Sequence, residues 1–76
     1  MKELLTYIVQ KLVDHTDDVK ITEVSGEHTT IFELTVNKED LGKVIGKEGR
    51  TAKAIRTVLS AASIKENKRV MLEILD

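Results

Sequence analysis

The sequence predicts an α+β fold in the order α-β-β-α-α-β, and three observations predict it. Apolar residues recur at helical spacing over residues 2–13. Two β-branched runs flank a Gly-containing turn. Two further helical stretches meet at a pair of glycines and are followed by a last apolar strand. With no proline, no internal repeat and no low-complexity tract, the economical packing sets the helices on one side of a three-stranded sheet. The 76 residues form one domain, 1–76. A chain of that size buries only about 60–65% of its unfolded surface and has a thin core.

Leu4, Leu5, Ile8, Val9, Leu12 and Val13 make residues 2–13 an amphipathic helix, and Asp14 to Asp18 is a polar break. Val19–Val24 and Thr29–Val36 read as a hairpin turning through Ser25-Gly26-Glu27-His28. In its second strand Phe32, Leu34 and Val36 alternate with Ile31, Glu33 and Thr35, so one face meets a core and the other is mostly solvated. Asn37 suits a helix cap, and Asp40 sits in the first turn, where an acid suits the dipole. A short helix over 39–45 ends at Gly46. A longer one over 50–63 sets Ala52, Ile55, Val58, Leu59 and Ala62 on one face and Lys53, Arg56, Thr57 and Ser60 on the other. Asn67 and Lys68 lead into a strand from Val70 to Leu75, whose Met71 reads as core or back face.

Composition excludes several classes. There is no cysteine, hence neither a disulfide nor a Cys-based metal site. No apolar run approaches membrane-spanning length, and Lys2-Glu3 opens directly into the helix pattern, which leaves no room for a signal peptide. A soluble, cytoplasmic protein without membrane attachment is expected. The net charge of −1 hides a segregation: residues 1–37 carry three lysines against seven acids, whereas residues 38–56 carry six basic residues against three acids. A local basic patch suits a short polyanion better than a long duplex.

That patch centres on Val44-Ile45-Gly46-Lys47-Glu48-Gly49-Arg50, followed by Thr51-Ala52-Lys53-Ala54-Ile55-Arg56. A phosphate-binding P-loop needs four residues between its first glycine and the Gly-Lys pair. Gly42 and Gly46 have three between them, and Glu48 stands where Ser or Thr belongs. A dinucleotide fingerprint fails as well, because position 44 is valine and the preceding segment is helical. What remains is a glycine loop between two helices. The outgoing helix offers unpaired N–H groups and the positive end of its dipole, and Arg50 in its first turn is unfavourable there unless an anion sits between. Lys53 and Arg56 extend the same face. Taken alone, the loop is also compatible with a plain helix–helix connector bearing solubilising charges.

The segment from Val44 to Arg56 resembles the signature of the KH domain, an Ile-Gly-x-x-Gly loop between two helices. The element order resembles the bacterial type II arrangement, which implies a three-stranded mixed sheet with helices packed on one face. Length and the Gly-Lys-x-Gly-Arg-Thr-Ala form are similar to the small bacterial single-KH RNA-binding proteins of the KhpA-like family. The resemblance covers residues 1–76, with its specific part at 41–56 and the Gly-x-x-Gly loop at 46–49. It implies that Gly46, Lys47, Glu48 and Gly49 clamp about four single-stranded nucleotides, flanked by Arg50, Lys53 and Arg56, with Ile45 as the core residue behind the loop. The groove beside it would be floored by the apolar face of the second helix and the sheet edge, with Ser25 to His28 at one side. Such a groove grips bases without aromatic stacking, so Tyr7 and Phe32 as the sole aromatics are no objection. The acid Glu48 offsets Lys47.

The family resemblance further implies a homodimer, or a heterodimer with a larger KH-domain protein known as KhpB, EloR or Jag. It also implies RNA chaperone activity and a link to cell elongation, cell shape and peptidoglycan synthesis. The alternative is a KH-like protein-interaction module with little or no RNA binding of its own. No cofactor, metal or catalytic residue is expected. His15 beside Asp14, Asp17 and Asp18 reads as a solvated connector, His28 as an exposed turn residue, and Tyr7 as boundary packing. Ser25, Ser60 and Ser63 lack any nucleophile-elbow context.

Overall fold

A computed structural model describes residues 1–75, apart from the Lys65 side chain. Asp76, included in the predicted domain, lies outside the described residues. The elements run α1 Lys2–Leu12, β1 Lys20–Ser25, β2 Thr29–Thr35, α2 Leu41–Ile45, α3 Arg50–Ser63 and β3 Arg69–Leu75. The predicted order therefore stands. Short 3-10 turns fill the connectors at Thr16–Asp18, Lys38–Asp40, Lys47–Gly49 and Ile64–Glu66. Chain entry to α2 is such a turn, not the continuous helix over 39–45 that the sequence suggests: Asn37 Oδ1 accepts from the Glu39 N–H at 2.8 Å and the first helical residue is Leu41.

The sheet is mixed, in the order β1-β2-β3. β1 and β2 form the antiparallel hairpin with Val24 opposite Ile31, and β2 and β3 run parallel with Phe32 beside Leu72. A parallel pair needs a long crossover, and the helical segment between β2 and β3 supplies it. All three α-helices pack on one face of the sheet. Leu5 and Val9 of α1, Val44 of α2, and Ile55 and Leu59 of α3 close over Phe32, Leu34 and Leu72, with Val13 and Val36 at the margin.

Helix α3 departs from its predicted burial. Its covered stripe is Ala52, Ile55, Leu59 and Ser63, a clean i, i+3/i+4 series, while Val58 and Ala62 are exposed. They belong to a second apolar stripe with Ala54 and Ala61, roughly a third of a turn away from the core at 100° per residue. The third flank carries Lys53, Arg56, Thr57 and Ser60. The helix thus has a core face, a polar face and an uncovered apolar face.

Candidate nucleic-acid interface

Helix α2 stops because Gly46 takes φ 77°, ψ 172°, a conformation reserved for glycine, as its N–H closes the last turn onto the Gly42 carbonyl at 2.8 Å. There is also no room for a side chain. A Cβ at Gly46 would fall 2.6 Å from Thr51 Cβ and 2.8 Å from the Thr51 backbone nitrogen. Glu48 (φ 58°, ψ 24°) and Gly49 (φ 74°, ψ 13°) then take successive left-handed conformations and swing the chain into α3, with the Gly49 N–H on the Gly46 carbonyl at 3.1 Å. Nothing lies within 4 Å of a Cβ built on Gly49. A backbone atom surface is therefore open at the head of a 14-residue helix, whose first-turn amides and dipole favour an anion.

The basic side chains follow the polar flank of α3. Lys47, Arg50, Lys53 and Arg56 are all exposed. Arg50 Nη2 lies 3.4 Å from Glu48 Oε2, so the loop acid partly neutralises the first-turn base. Arg56 reaches the other way and donates to the Leu72 carbonyl on the free edge of β3 at 3.5 Å. Ile45 is not the core residue behind the loop. It is 38% exposed, and its neighbour Val44 is fully buried instead. Successive positions on a helix diverge by 100°, so only one of the pair can face the core, and Ile45 is left on the surface beside the glycines.

From Arg56 onward the polar flank of α3 walls a groove of about 790 Å³. Its other wall is the outer edge of β3 from Arg69 to Leu72, and Ile64, Asn67 and Lys68 of the α3–β3 connector close its end beside His28. Like the groove the resemblance implies, it runs between the second loop helix and the sheet edge, but its lining begins at Arg56 and includes no residue of the glycine loop. Its helical wall, however, is the polar flank with Arg56 and Ser60, because the apolar stripe is committed to the core. Sequence reading missed Lys68 and Arg69, although two adjacent bases before a strand were a visible signal. Lys68 Nζ donates to Ser25 Oγ at 3.0 Å and the Arg69 N–H to the His28 carbonyl at 2.8 Å, which locks the connector to the hairpin turn.

The base of the loop is pinned by a buried carboxylate. Asp40, 1% exposed, accepts from the backbone N–H of His15 at 2.9 Å and of Asp14 at 3.3 Å, and pairs with His15 Nδ1 at 3.0 Å. Lys43 Nζ lies 3.5 Å from Asp40 and also bonds the Asp14 carboxylate. Burial pushes the Asp40 carboxyl up, but these hydrogen bonds outweigh it and hold it at about 2. The Asp40 bond raises His15 above its ordinary 6.5, and the Asp14 carboxylate raises Lys43. His15 is therefore no mere solvated connector. It ties the segment after α1 to the turn that launches α2. His28 is exposed as expected, while Tyr7 is 63% exposed with Lys11 Nζ 5.2 Å above its ring and is not boundary packing.

Fold and loop together define a type II KH module: an α-β-β-α-α-β chain with a Gly-x-x-Gly loop joining two helices over a three-stranded mixed sheet. The chain belongs to the family described as KhpA/KhpB, KH domain, whose model matches residues 2–74. It is 60% identical over 75 residues to the RNA-binding protein KhpA of Clostridium acetobutylicum, covering 99% of this chain and 100% of that one. The RNA-binding protein KhpA of Chlamydia pneumoniae is 57% identical over 76 residues, covering 100% of this chain and 97% of its own. No solved structure matches the chain. The family is not an enzymatic one. Among the described residues no helix is long and apolar enough to cross a membrane.

Proposed function

We propose that the chain binds single-stranded RNA, with Gly46, Lys47, Glu48 and Gly49 clamping the sugar–phosphate backbone and the α3–β3 groove receiving the bases. One observation carries the reading: the open backbone at Gly49 sits at the head of α3, and a line of exposed Arg50, Lys53 and Arg56 runs from it into the groove. An RNA backbone laid on that line meets amides and a dipole first, then one cation per helical turn. Relatives named RNA-binding protein KhpA over their whole length support the same reading. Lys68 and Arg69 extend the positive wall at the far end.

A single KH module reads about four nucleotides, so useful affinity calls for a second module. The proposal therefore includes pairing, as a homodimer or with a larger KH-domain protein of the KhpB kind. The uncovered stripe of Ala54, Val58, Ala61 and Ala62 on α3 supports it, since small side chains let two helices approach closely. Action in the cytoplasm as an RNA chaperone or post-transcriptional regulator, with effects on cell elongation and peptidoglycan, belongs to the same proposal and rests on the family resemblance.

The double substitution Lys47→Asp, Glu48→Asp tests the clamp. Both side chains face solvent, so the circular dichroism spectrum and melting midpoint stay close to those of the parent. Fluorescence anisotropy with a labelled single-stranded RNA at fixed salt should show at least a tenfold loss of affinity. Unchanged affinity overturns the clamp. If RNA affinity is negligible in the parent while pairing persists, the chain is a protein-interaction module built on a KH fold.

A further inference from the structure

The sheet has a second face, and among the described residues no helix covers it. The strand register sets Val24, Ile31 and Met71 side by side across β1, β2 and β3. The next row is Thr22, Glu33 and Glu73, and the one after is Lys20, Thr35 and Leu75. Val24 is 53% exposed, Met71 44% and Leu75 41%, and none of these, nor Ile31, belongs to the core cluster. Val24, Ile31 and Met71 form one continuous apolar row on this uncovered face, and Leu75 lies beyond the Glu33–Glu73 row, an arrangement of the kind that marks contact surfaces.

Charge says what kind of contact. Glu33 and Glu73 are direct register partners on parallel strands and point to this same face. Like charges placed opposite one another on a sheet repel. Among the described residues neither carboxylate has a basic group within 4 Å, and Lys20 stands a full row away. The face is thus incomplete in two respects, with apolar side chains left wet and a carboxylate pair left without a cation between them. An RNA phosphate aggravates the second defect. A basic side chain flanked by apolar ones satisfies both.

We infer that the open sheet face docks a segment of a partner protein that carries an arginine or lysine between apolar residues. The cation seats between Glu33 and Glu73, and its apolar neighbours cover the Val24–Ile31–Met71 row and Leu75. The helices that frame the Gly-x-x-Gly loop lie on the other side of the sheet, so RNA and this partner are held at the same time. Met71 stands at the border, since it also reaches the lip of the α3–β3 groove.

A chemical-shift titration of the full chain tests the inference. The probe is a synthetic 15-residue amphipathic helical peptide with a leucine face and one central arginine. Backbone amides of residues 22–24, 31–33 and 71–73 are expected to shift together. Changing the peptide's arginine to glutamine, or the protein's residues by Glu33→Gln with Glu73→Gln, should each weaken binding at least fivefold. The double variant should keep its affinity for single-stranded RNA and melt no lower than the parent, because a repulsion has been removed. Shifts confined to α3 or the glycine loop overturn the inference, as does equal binding of the glutamine peptide. So does an RNA oligomer that moves the amides of residues 22–24 and 31–33, which lie away from the groove. Movement of those amides on diluting the chain alone would assign the face to a second copy and overturn the basic partner.

Discussion

Gly46 and Gly49 look equivalent in the sequence, yet the structure demands different things of them. Gly46 needs both a positive φ and an absent side chain, because Thr51 fills the space where its Cβ would stand. Gly49 needs only its left-handed φ of 74°, with open space beside it. Gly46→Ala should therefore destabilise by more than ~3 kcal/mol, the strain of about 1–3 kcal/mol for an unfavourable φ being joined by a steric clash with backbone. Gly49→Ala should lose only about 1–2 kcal/mol of stability. Its methyl stands where a phosphate would approach, so its larger effect falls on RNA affinity. Urea denaturation of the two variants separates the cases, and equal losses would refute the distinction. Glu48 raises a related question, since a non-glycine residue at φ 58° is strained and its carboxylate faces Arg50. Glu48→Asn keeps a residue that tolerates this conformation and frees Arg50. Salt-dependent RNA titration should show tighter binding by a few-fold, with the log–log slope steeper by about 0.7, the increment for one more phosphate contact on a single strand. Unchanged slope would mean that Arg50 does not touch the backbone.

Helix α2, five residues long, is far too short to hold itself together, so the loop it carries depends on tertiary anchors. The chief polar anchor is Asp40 with the segment at Asp14 and His15, and its titration gives a pH prediction. His15 is raised above 6.5 in the folded chain, so its contribution is full below 6.5 and fades as pH rises through the folded value. Asp40 is lowered from 3.8 to about 2, so its contribution is full above 3.8 and disappears as pH falls toward 2. The melting midpoint should thus be highest between about pH 4 and 6.5 and decline on both sides. His15→Asn should remove the decline on the alkaline side and leave the acid limb. A wild-type midpoint flat from pH 6 to 8 would contradict the assignment. None of this was legible in the sequence, where Asp40 looks like an ordinary first-turn acid. Its partners lie 25 and 26 residues away, and local spacing rules speak only of neighbours three or four apart. What local rules do govern was legible: the six elements, the alternation of Phe32 and Leu34, the Asn37 cap and the glycine loop with its basic helix. Val58, Ala62 and Ile45 were misplaced for one reason. Apolar character marks a residue that gains from being covered, whereas only the packing of α1 and the sheet decides which of them is covered by this chain.

Across the whole molecule, α3 presents three different sides: Ile55 and Leu59 face the core, Lys53 and Arg56 line the path proposed for RNA, and Ala54, Val58, Ala61 and Ala62 are left uncovered among the described residues. Pairing through that third side would leave both polar flanks free, so two modules could engage one strand together. The expected gain is one of effective concentration, not of new contacts. A linked second module can raise avidity by about 10²–10⁴, provided the strand is long enough to reach both sites. Each module takes about four nucleotides, so the effect should be absent for a short oligomer and appear for one that spans both grooves. The substitution Val58→Asp puts a charge in the middle of the apolar side, away from the loop, the groove and the core. Sedimentation equilibrium should then show a shift from dimer to monomer. Affinity for a four-nucleotide RNA should stay within about twofold, while the advantage of a long RNA over the short one should fall by at least tenfold. A variant that turns monomeric yet keeps that long-strand advantage would show that one chain alone tracks the longer RNA, through Lys68 and Arg69 at the far end of its own groove.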